Sequence, residues 1–379
     1  MPSIEKFTRS QLENALVRAR ERADKAEKKV RDVPADVELL RRLNKTLTGQ
    51  VRKAQGIMDL ALAEVQEGIT DFSGLQLPPP IKLKRGKEEM IAVAHVTDTQ
   101  IGKITDSFNT EIAEGRLMEY ARAVAKCVQV HHANYGVQEL HVYFGGDMVE
   151  GEQIFAHQPF QIDSSVLRQA IINAPKILAQ MLMYWTSYFP KIRVLTVRGN
   201  HGRVGNKHSV THPETNWDTA CYLVTEHMVR EGLAAKGLAA DRVTFKHSRS
   251  WYNVDDVLGH KNLLIHGDVG IKGSNGYPWY GTGKRMAGWL DAVPESWQHL
   301  YMGHFHQYVS YDWNGHLVFV GGTIESDNEF ARAELSATGK PKQRLQIWNR
   351  DDGPVVDLPI CLKFGYTPRK NYGDKRVTL

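Results

Sequence analysis

Cysteine is scarce in this chain: Cys127, Cys221 and Cys361 are the only three, far apart and with no CxxC pair. An odd, scattered set argues against a disulfide frame and a thiolate zinc site, and for a reducing compartment. Long apolar runs are missing too, and nothing approaches the roughly 18 residues of a membrane-spanning helix. The opening MPSIEKFTRSQLEN holds no apolar segment of the secretory type. A cytoplasmic setting with no membrane partner is therefore expected. Internal repeats and low-complexity tracts are also absent. What remains, 379 residues at 42% hydrophobic and 24% charged, is the composition of a folded protein. That length suffices for one large catalytic domain plus an appendage.

The charge excess is small, +5, but unevenly placed. Residues 1–90 carry 18 Lys and Arg against 14 Asp and Glu, and the rest carries 30 against 29. Attraction for a polyanion therefore leans on the N-terminal part.

That part has its own pattern. Leu12, Leu16, Ala19, Ala23, Ala26, Val30 and Val33 recur at steps of four and three, and Leu47, Val51, Ala54, Met58, Ala61 and Val65 repeat the pattern. Such steps draw one apolar stripe along a helix at a 3.5-residue period. Pro34 suits the start of a second helix, with Asp32 as its cap. Two helices, about 9–31 and 35–67, are expected within a helical arm at 1–75. They form a hairpin or a coiled coil that makes a homodimer through 9–67; the alternative is an extension packed on its own catalytic domain. LPPPIKLKRGKEE marks a linker at 76–90.

From residue 91 to 379 the texture is α/β. Apolar, β-branched runs at 91–97, 139–145, 192–198 and 262–267 alternate with helical segments near 111–133, 163–189 and 214–232. Asp163 or Ser164 suits the cap of the second segment. Short strands at 307–312, 316–321 and 343–349 suggest a second sheet.

Polar residues gather where these strands end. The first run leads into Asp98 and Gln100, the second into Asp147 and Glu150, the third into Asn200 and His201, the fourth into His266. A strand near 299–302 leads into His304 and His306. In α/β folds ligands collect beyond the carboxyl ends of strands, so five such tips can meet in one cleft. Carboxylate, imidazole and amide donors together suit borderline divalent ions such as Mn²⁺, Zn²⁺ or Fe²⁺ better than Mg²⁺ or Ca²⁺.

In this order and at strand ends, Asp98-Thr99-Gln100, Gly146-Asp147, Gly199-Asn200-His201, His266 and Gly303-His304-Phe305-His306 resemble the signature of the calcineurin-like metallophosphoesterases. The resemblance spans about residues 91–325. It implies a four-layer sandwich, two facing mixed sheets flanked by helices, and a pair of divalent ions bridged by Asp147. Asp98, Gln100 and His306 would hold one ion; Asn200, His266 and His304 would hold the other. Mn²⁺ is the expected ion, with Zn²⁺, Fe²⁺ or Mg²⁺ as alternatives. His201 would stand by the scissile phosphate, together with Asp147 the catalytic pair. A phosphodiester repels hydroxide and has a poor leaving group, and two neighbouring cations neutralise it and order in-line attack. His201 would add a proton where alkoxide charge develops.

Three positions depart from the family's usual pattern. Gln100 stands where His is commonest, so the ion on that side is expected to bind less tightly. Glu150 replaces Asp and is long enough to orient His201 from behind. Gly202 follows where an acid is common. His95, His131, His132 and His157 match no block and read as ordinary core or surface histidines. Arg203, Lys207, His208 and His212 follow the third block in a loop that can reach substrate phosphates. The stretch 268–285, DVGIKGSNGYPWYGTGKR, reads as a glycine-rich loop whose Trp279 and Tyr280 stack a base while Lys272, Lys284 and Arg285 meet phosphate; a packed loop is the alternative. Within the superfamily the arrangement looks most like the SbcD-like DNA-repair nucleases and their phage-encoded relatives. The resemblance thus implies a DNA-directed phosphodiesterase, with a phosphoesterase for small nucleotides or phosphoproteins as the alternative.

Overall fold

The computed structural model describes residues 17–21, 44, 45, 48, 76–79, 89–132, 136–155, 157–205, 212, 214–271, 278–327 and 340–365. The chain divides into two units, Met1–Leu62 and Ala63–Leu379. Residues 17–21, 44, 45 and 48 are helical; the rest of the arm, the expected dimer seam with it, and most of the linker lie outside the described residues. Among the described residues no helix is long and apolar enough to cross a membrane.

The second unit is built on two mixed sheets. The first has the order β11-β10-β1-β2-β3-β4. Its parallel core is β1 (Glu89–Val96), β2 (Gly136–Phe144), β3 (Lys191–Thr196) and β4 (Val243–His247). Antiparallel β10 (Lys342–Asn349) and β11 (Gly353–Cys361) extend it beyond β1. The second sheet has the order β5-β6-β7-β9-β8. Here β6 (His260–Ile265), β7 (His299–Met302) and β9 (His316–Val320) run parallel, edged by antiparallel β5 (Tyr252–Val257) and β8 (Val309–Trp313).

Side-chain alternation explains the layers. Along β1, Ala92, Ala94 and Val96 join one core while Ile91 and Val93 join another. Leu263, Ile265, Leu300 and Met302 likewise face one way, and Leu264 and Tyr301 the other. The core shared by the sheets holds Ile91, Val93, Tyr143, Leu195, Leu264, Tyr301, Phe319 and Trp348, with the Tyr143 and Tyr301 rings edge to face at 4.9 Å. On the outer face of the first sheet lie α1 (Thr110–His132), α2 (Ala174–Trp185) and α3 (Trp217–Ala235). On the outer face of the second lies α4 (Trp279–Ala292), through Met286 and Trp289. Helix, sheet, sheet, helix is the expected α/β sandwich. Strands buried on both faces read as continuous apolar runs, which is why β1 and β2 were legible. Each large apolar side chain removed from water contributes roughly 1.5–3 kcal/mol.

The strand at 343–349, expected in the second sheet, is β10 and belongs to the first, paired with β1; two further local expectations need correcting. Helix α2 is entered through a turn, Val166–Arg168, and a π-helical stretch, Gln169–Asn173, and the side chain that caps the turn is Ser165. Asp163 caps a different helix: its carboxylate accepts from the Thr110 backbone N–H at 2.7 Å and hydroxyl at 2.9 Å. The second correction concerns 268–285. Its latter part, from Trp279, is the start of α4. Gly281 and Gly283 suggested a loop by propensity, but packing decides here. A Cβ on Gly283 would lie 2.5 Å from the Trp313 indole nitrogen, so glycine permits the helix to approach β8.

Candidate metal centre

Every polar cluster expected from the sequence follows the carboxyl end of a parallel strand: β1, β2 and β3 in one sheet, β6 and β7 in the other. Because both sheets present these ends to the same edge, the loops meet. Asp98, Gln100, Asp147 and His266 are buried there, and Asn200, His201, His304 and His306 are partly buried.

The donors fall into two groups. In the first, Asp147 Oδ2 lies 3.0 Å from His266 Nε2, which lies 3.1 Å from Asn200 Oδ1. Asp147, His266 and His304 each bring one ligand atom within 4.8 Å of one another. In the second, His306 Nε2 lies 3.3 Å from Asp98 Oδ1 and 3.1 Å from Gln100 Nε2.

The imidazoles are aimed from behind. His266 Nδ1 donates to the Gly145 carbonyl at 2.8 Å, which leaves Nε2 to face Asp147. His306 Nδ1 pairs with Glu325 at 2.8 Å. His201 Nδ1 donates to the Glu150 carbonyl at 2.9 Å and lies 3.2 Å from the Glu150 carboxylate. Its Nε2 is therefore the ring nitrogen that Glu150 leaves unengaged. The His201 backbone N–H donates to Asp147 Oδ1 at 2.7 Å.

The backbone is bent to make this possible. Asp98, Gln100, Asp147, His304 and His306 have φ between 42° and 68°, five of the nine non-glycine residues with positive φ among those described. Such conformations cost about 1–3 kcal/mol each, and they concentrate where side chains must be aimed. Gly199 serves the same purpose, because a Cβ there would sit 2.0 Å from Asp147 Oδ1.

Charges in the cleft balance one another. Burial opposes ionisation of Asp147, yet His266 and His201 outweigh it and hold its carboxyl well below the usual range. Burial works against a charged His201 as well, but Asp147 and Glu150 raise its pKa to about 9. His304 is pushed down to about 4, first by burial and then by His266. His266 is raised by Asp147 despite burial. A proton on His266 thus supplies the positive charge that a cation beside Asp147 would replace, as metal ligation requires. Carboxylate, amide oxygen and two imidazoles around one point fit a divalent ion of the borderline class.

Three functional neighbours went unread in the sequence. Asp218, in the first turn of α3, accepts backbone N–H bonds from Asp147 at 2.9 Å, Met148 at 3.0 Å and Gly199 at 2.8 Å, and so ties two ligand loops together. Burial first and Asp147 second raise its pKa to about 6. Lys103 and Glu325 form a buried ion pair at 2.8 Å behind His306 and Gln100. Lys103 follows Gln100 by three residues, a nearness the sequence displayed, whereas nothing in the sequence links Asp218 or Glu325 to the cleft.

The expected substrate contacts are more dispersed. Arg203 donates to the Asn200 carbonyl at 3.2 Å and so stays beside the ligand loop. Lys207, His208 and Lys272 lie outside the described residues. Trp279 and Tyr280 open α4, Trp279 packing on Tyr311 at 4.5 Å and Tyr280 standing 85% exposed. His95 is buried in the core, edge to face with Tyr301 at 5.4 Å.

No protein-family model matches the chain, and no curated protein sequence does. Among solved structures, vacuolar protein sorting 29 from Cryptosporidium parvum is 13% identical, with a TM-score of 0.34, covering 72% of this chain and 98% of that one. A predicted phosphoesterase from Streptococcus pneumoniae is 11% identical, with a TM-score of 0.28 over 72% and 98% of the two chains. A structure described as a novel archaeal phosphodiesterase is 10% identical, with a TM-score of 0.29 over 72% and 99%. Likeness of this degree is partial, and the chemistry below is drawn from this chain's own residues.

Proposed function

We propose that this chain is a metal-dependent phosphodiesterase whose substrate is DNA. The observation that carries the proposal is the meeting of Asp147, His266 and His304 within 4.8 Å, beside a His201 whose backbone Asp147 holds. Asp147, Asn200, His266 and His304 would hold a divalent ion there, and the ion would supply positive charge for the phosphate oxygens and acidify a water. His201 is held through Nδ1 by the Glu150 carbonyl, and its Nε2 edge can pass a proton to the leaving oxygen.

DNA is supported by what surrounds His201. Phe155 lies edge-on to the imidazole at 6.2 Å and is 43% exposed. An exposed aromatic ring beside the proton donor suits stacking of a nucleobase next to the scissile bond. Arg203, in the same loop, can pair with a flanking phosphate. One observation favours a small nucleotide instead: residues 91–379 carry 30 basic and 29 acidic side chains, with no excess to hold a polyanion.

A panel of Mn²⁺, Mg²⁺ and Zn²⁺ against single- and double-stranded DNA, RNA, cyclic dinucleotides and an aryl phosphodiester tests both. Metal-dependent cleavage of DNA supports the proposal. Turnover of cyclic dinucleotides with DNA left intact replaces it by the second reading, and no hydrolysis of any diester refutes both.

A further inference from the structure

Lys103 is a buried cation in the cleft to which hydrolysis as described assigns nothing. Its side chain is 8% exposed and pairs with Glu325 at 2.8 Å, and it lies 3.9 Å from Glu150. It also donates to Gln100 Oε1 at 3.1 Å. An ammonium has three N–H donors and no acceptor, so the amide atom facing it is the oxygen and the amide cannot be turned round. The Gln100 NH₂ group is thereby left facing His306 Nε2 at 3.1 Å. It presents a donor to the lone pair that an ion between Asp98 and His306 would require.

The neighbouring groups are committed in the same way. Asp98 accepts the His304 backbone N–H at 3.0 Å and the Thr97 hydroxyl at 2.7 Å. Glu325 is shared between Lys103 and His306, both at 2.8 Å. In the other half Asp147 Oδ1 likewise accepts the His201 backbone N–H, but there the Asp147, His266 and His304 ligand atoms converge, with the Asn200 amide oxygen 3.1 Å from His266 Nε2.

We infer that this chain binds one divalent ion tightly, in the Asp147–Asn200–His266–His304 half, and that the network of Lys103, Glu325, Gln100 and His306 stands in the place of a second. The inference rests on the cleft being a phosphodiesterase metal centre. Lys103 then acts as a built-in positive charge, a positioning residue that fixes Gln100 and His306 without touching substrate. A single charge replaces two, and it needs no ion from solution.

The test is metal content. Full-length protein is saturated with Mn²⁺, desalted, and measured by plasma mass spectrometry and by electron paramagnetic resonance. One ion per chain with an uncoupled Mn²⁺ signal is expected. The double variant Lys103→Met, Gln100→His removes the ammonium and restores a lone pair, and is expected to hold two ions with an exchange-coupled signal. Two coupled ions in the wild-type chain overturn the inference and leave the metal-centre reading standing. No bound ion overturns both. A double variant that keeps its circular dichroism spectrum but stays at one ion removes the network as the cause. Should that variant not fold, the wild-type count alone decides.

Discussion

The backbone N–H of His201 donates to Asp147 Oδ1 at 2.7 Å, while the other oxygen of the same carboxylate faces His266 Nε2 at 3.0 Å. Under the proposed function, one side chain thus positions the proton donor and takes part in the metal centre. The two roles separate by mutation. The His201 ring is held through Nδ1 by Glu150, outside the Asp147–His266–His304 cluster, so His201→Ala is expected to keep the metal and lose turnover. A lost proton donor costs about 10²–10⁴ in rate when the leaving group is a poor alkoxide. An aryl leaving group needs little protonation, so the loss on an aryl phosphodiester is expected to be smaller. Rates on both substrates, with metal analysis, check this; equal losses would mean that His201 stabilises phosphate charge instead.

Asp218 holds the loops after β2 and β3 through backbone N–H groups alone. Asp218→Ala leaves those donors buried without a partner, at about 1–3 kcal/mol for each group left unsatisfied. The unfolding free energy from denaturant titration is expected to fall by several kcal/mol, and metal affinity with it. Asp218→Asn keeps an acceptor oxygen and should lose less of both. Equal stability of wild type and Asp218→Ala would contradict the assigned role.

His95 gives a pH prediction. Its ring is fully buried, and burial, then the Arg344 charge, lower its pKa from 6.5 to about 3. The unfolded chain therefore takes up a proton at pH values where the folded chain refuses it. This residue's contribution is fully present above pH 6.5 and is lost as pH falls toward 3, by up to ~1.4 kcal/mol per pH unit. Urea midpoints at pH 7, 6 and 5 should decline less steeply in His95→Met. Parallel slopes in the two proteins would refute the effect.

The sheets and the cleft were legible in the sequence because their signals are local. Strands buried on both faces are continuous apolar runs, and Asp147, Asn200, His201, His266 and His304 each follow one directly. Asp218 was not legible: its partners are backbone groups 19 to 71 residues away, and a helix-opening acid is ordinary in sequence. Glu325 reaches Lys103 and His306 only through the folded chain. Helix α4 was obscured by Gly281 and Gly283, the second of which lets the helix approach Trp313. Gln100 stands out in the sequence as an unusual candidate ligand, but its amide orientation follows from Lys103, a contact visible only in three dimensions.

The central claim is that a divalent ion centred on Asp147 drives phosphodiester hydrolysis. The direct measurement is hydrolysis of an aryl phosphodiester by chelator-stripped protein as Mn²⁺ is added back, with wild type and Asp147→Asn side by side. Wild type is expected to go from no turnover to full turnover as ion is restored, and Asp147→Asn to stay inactive with its bound metal lost. Turnover that survives chelation, or that Asp147→Asn retains, would contradict the account.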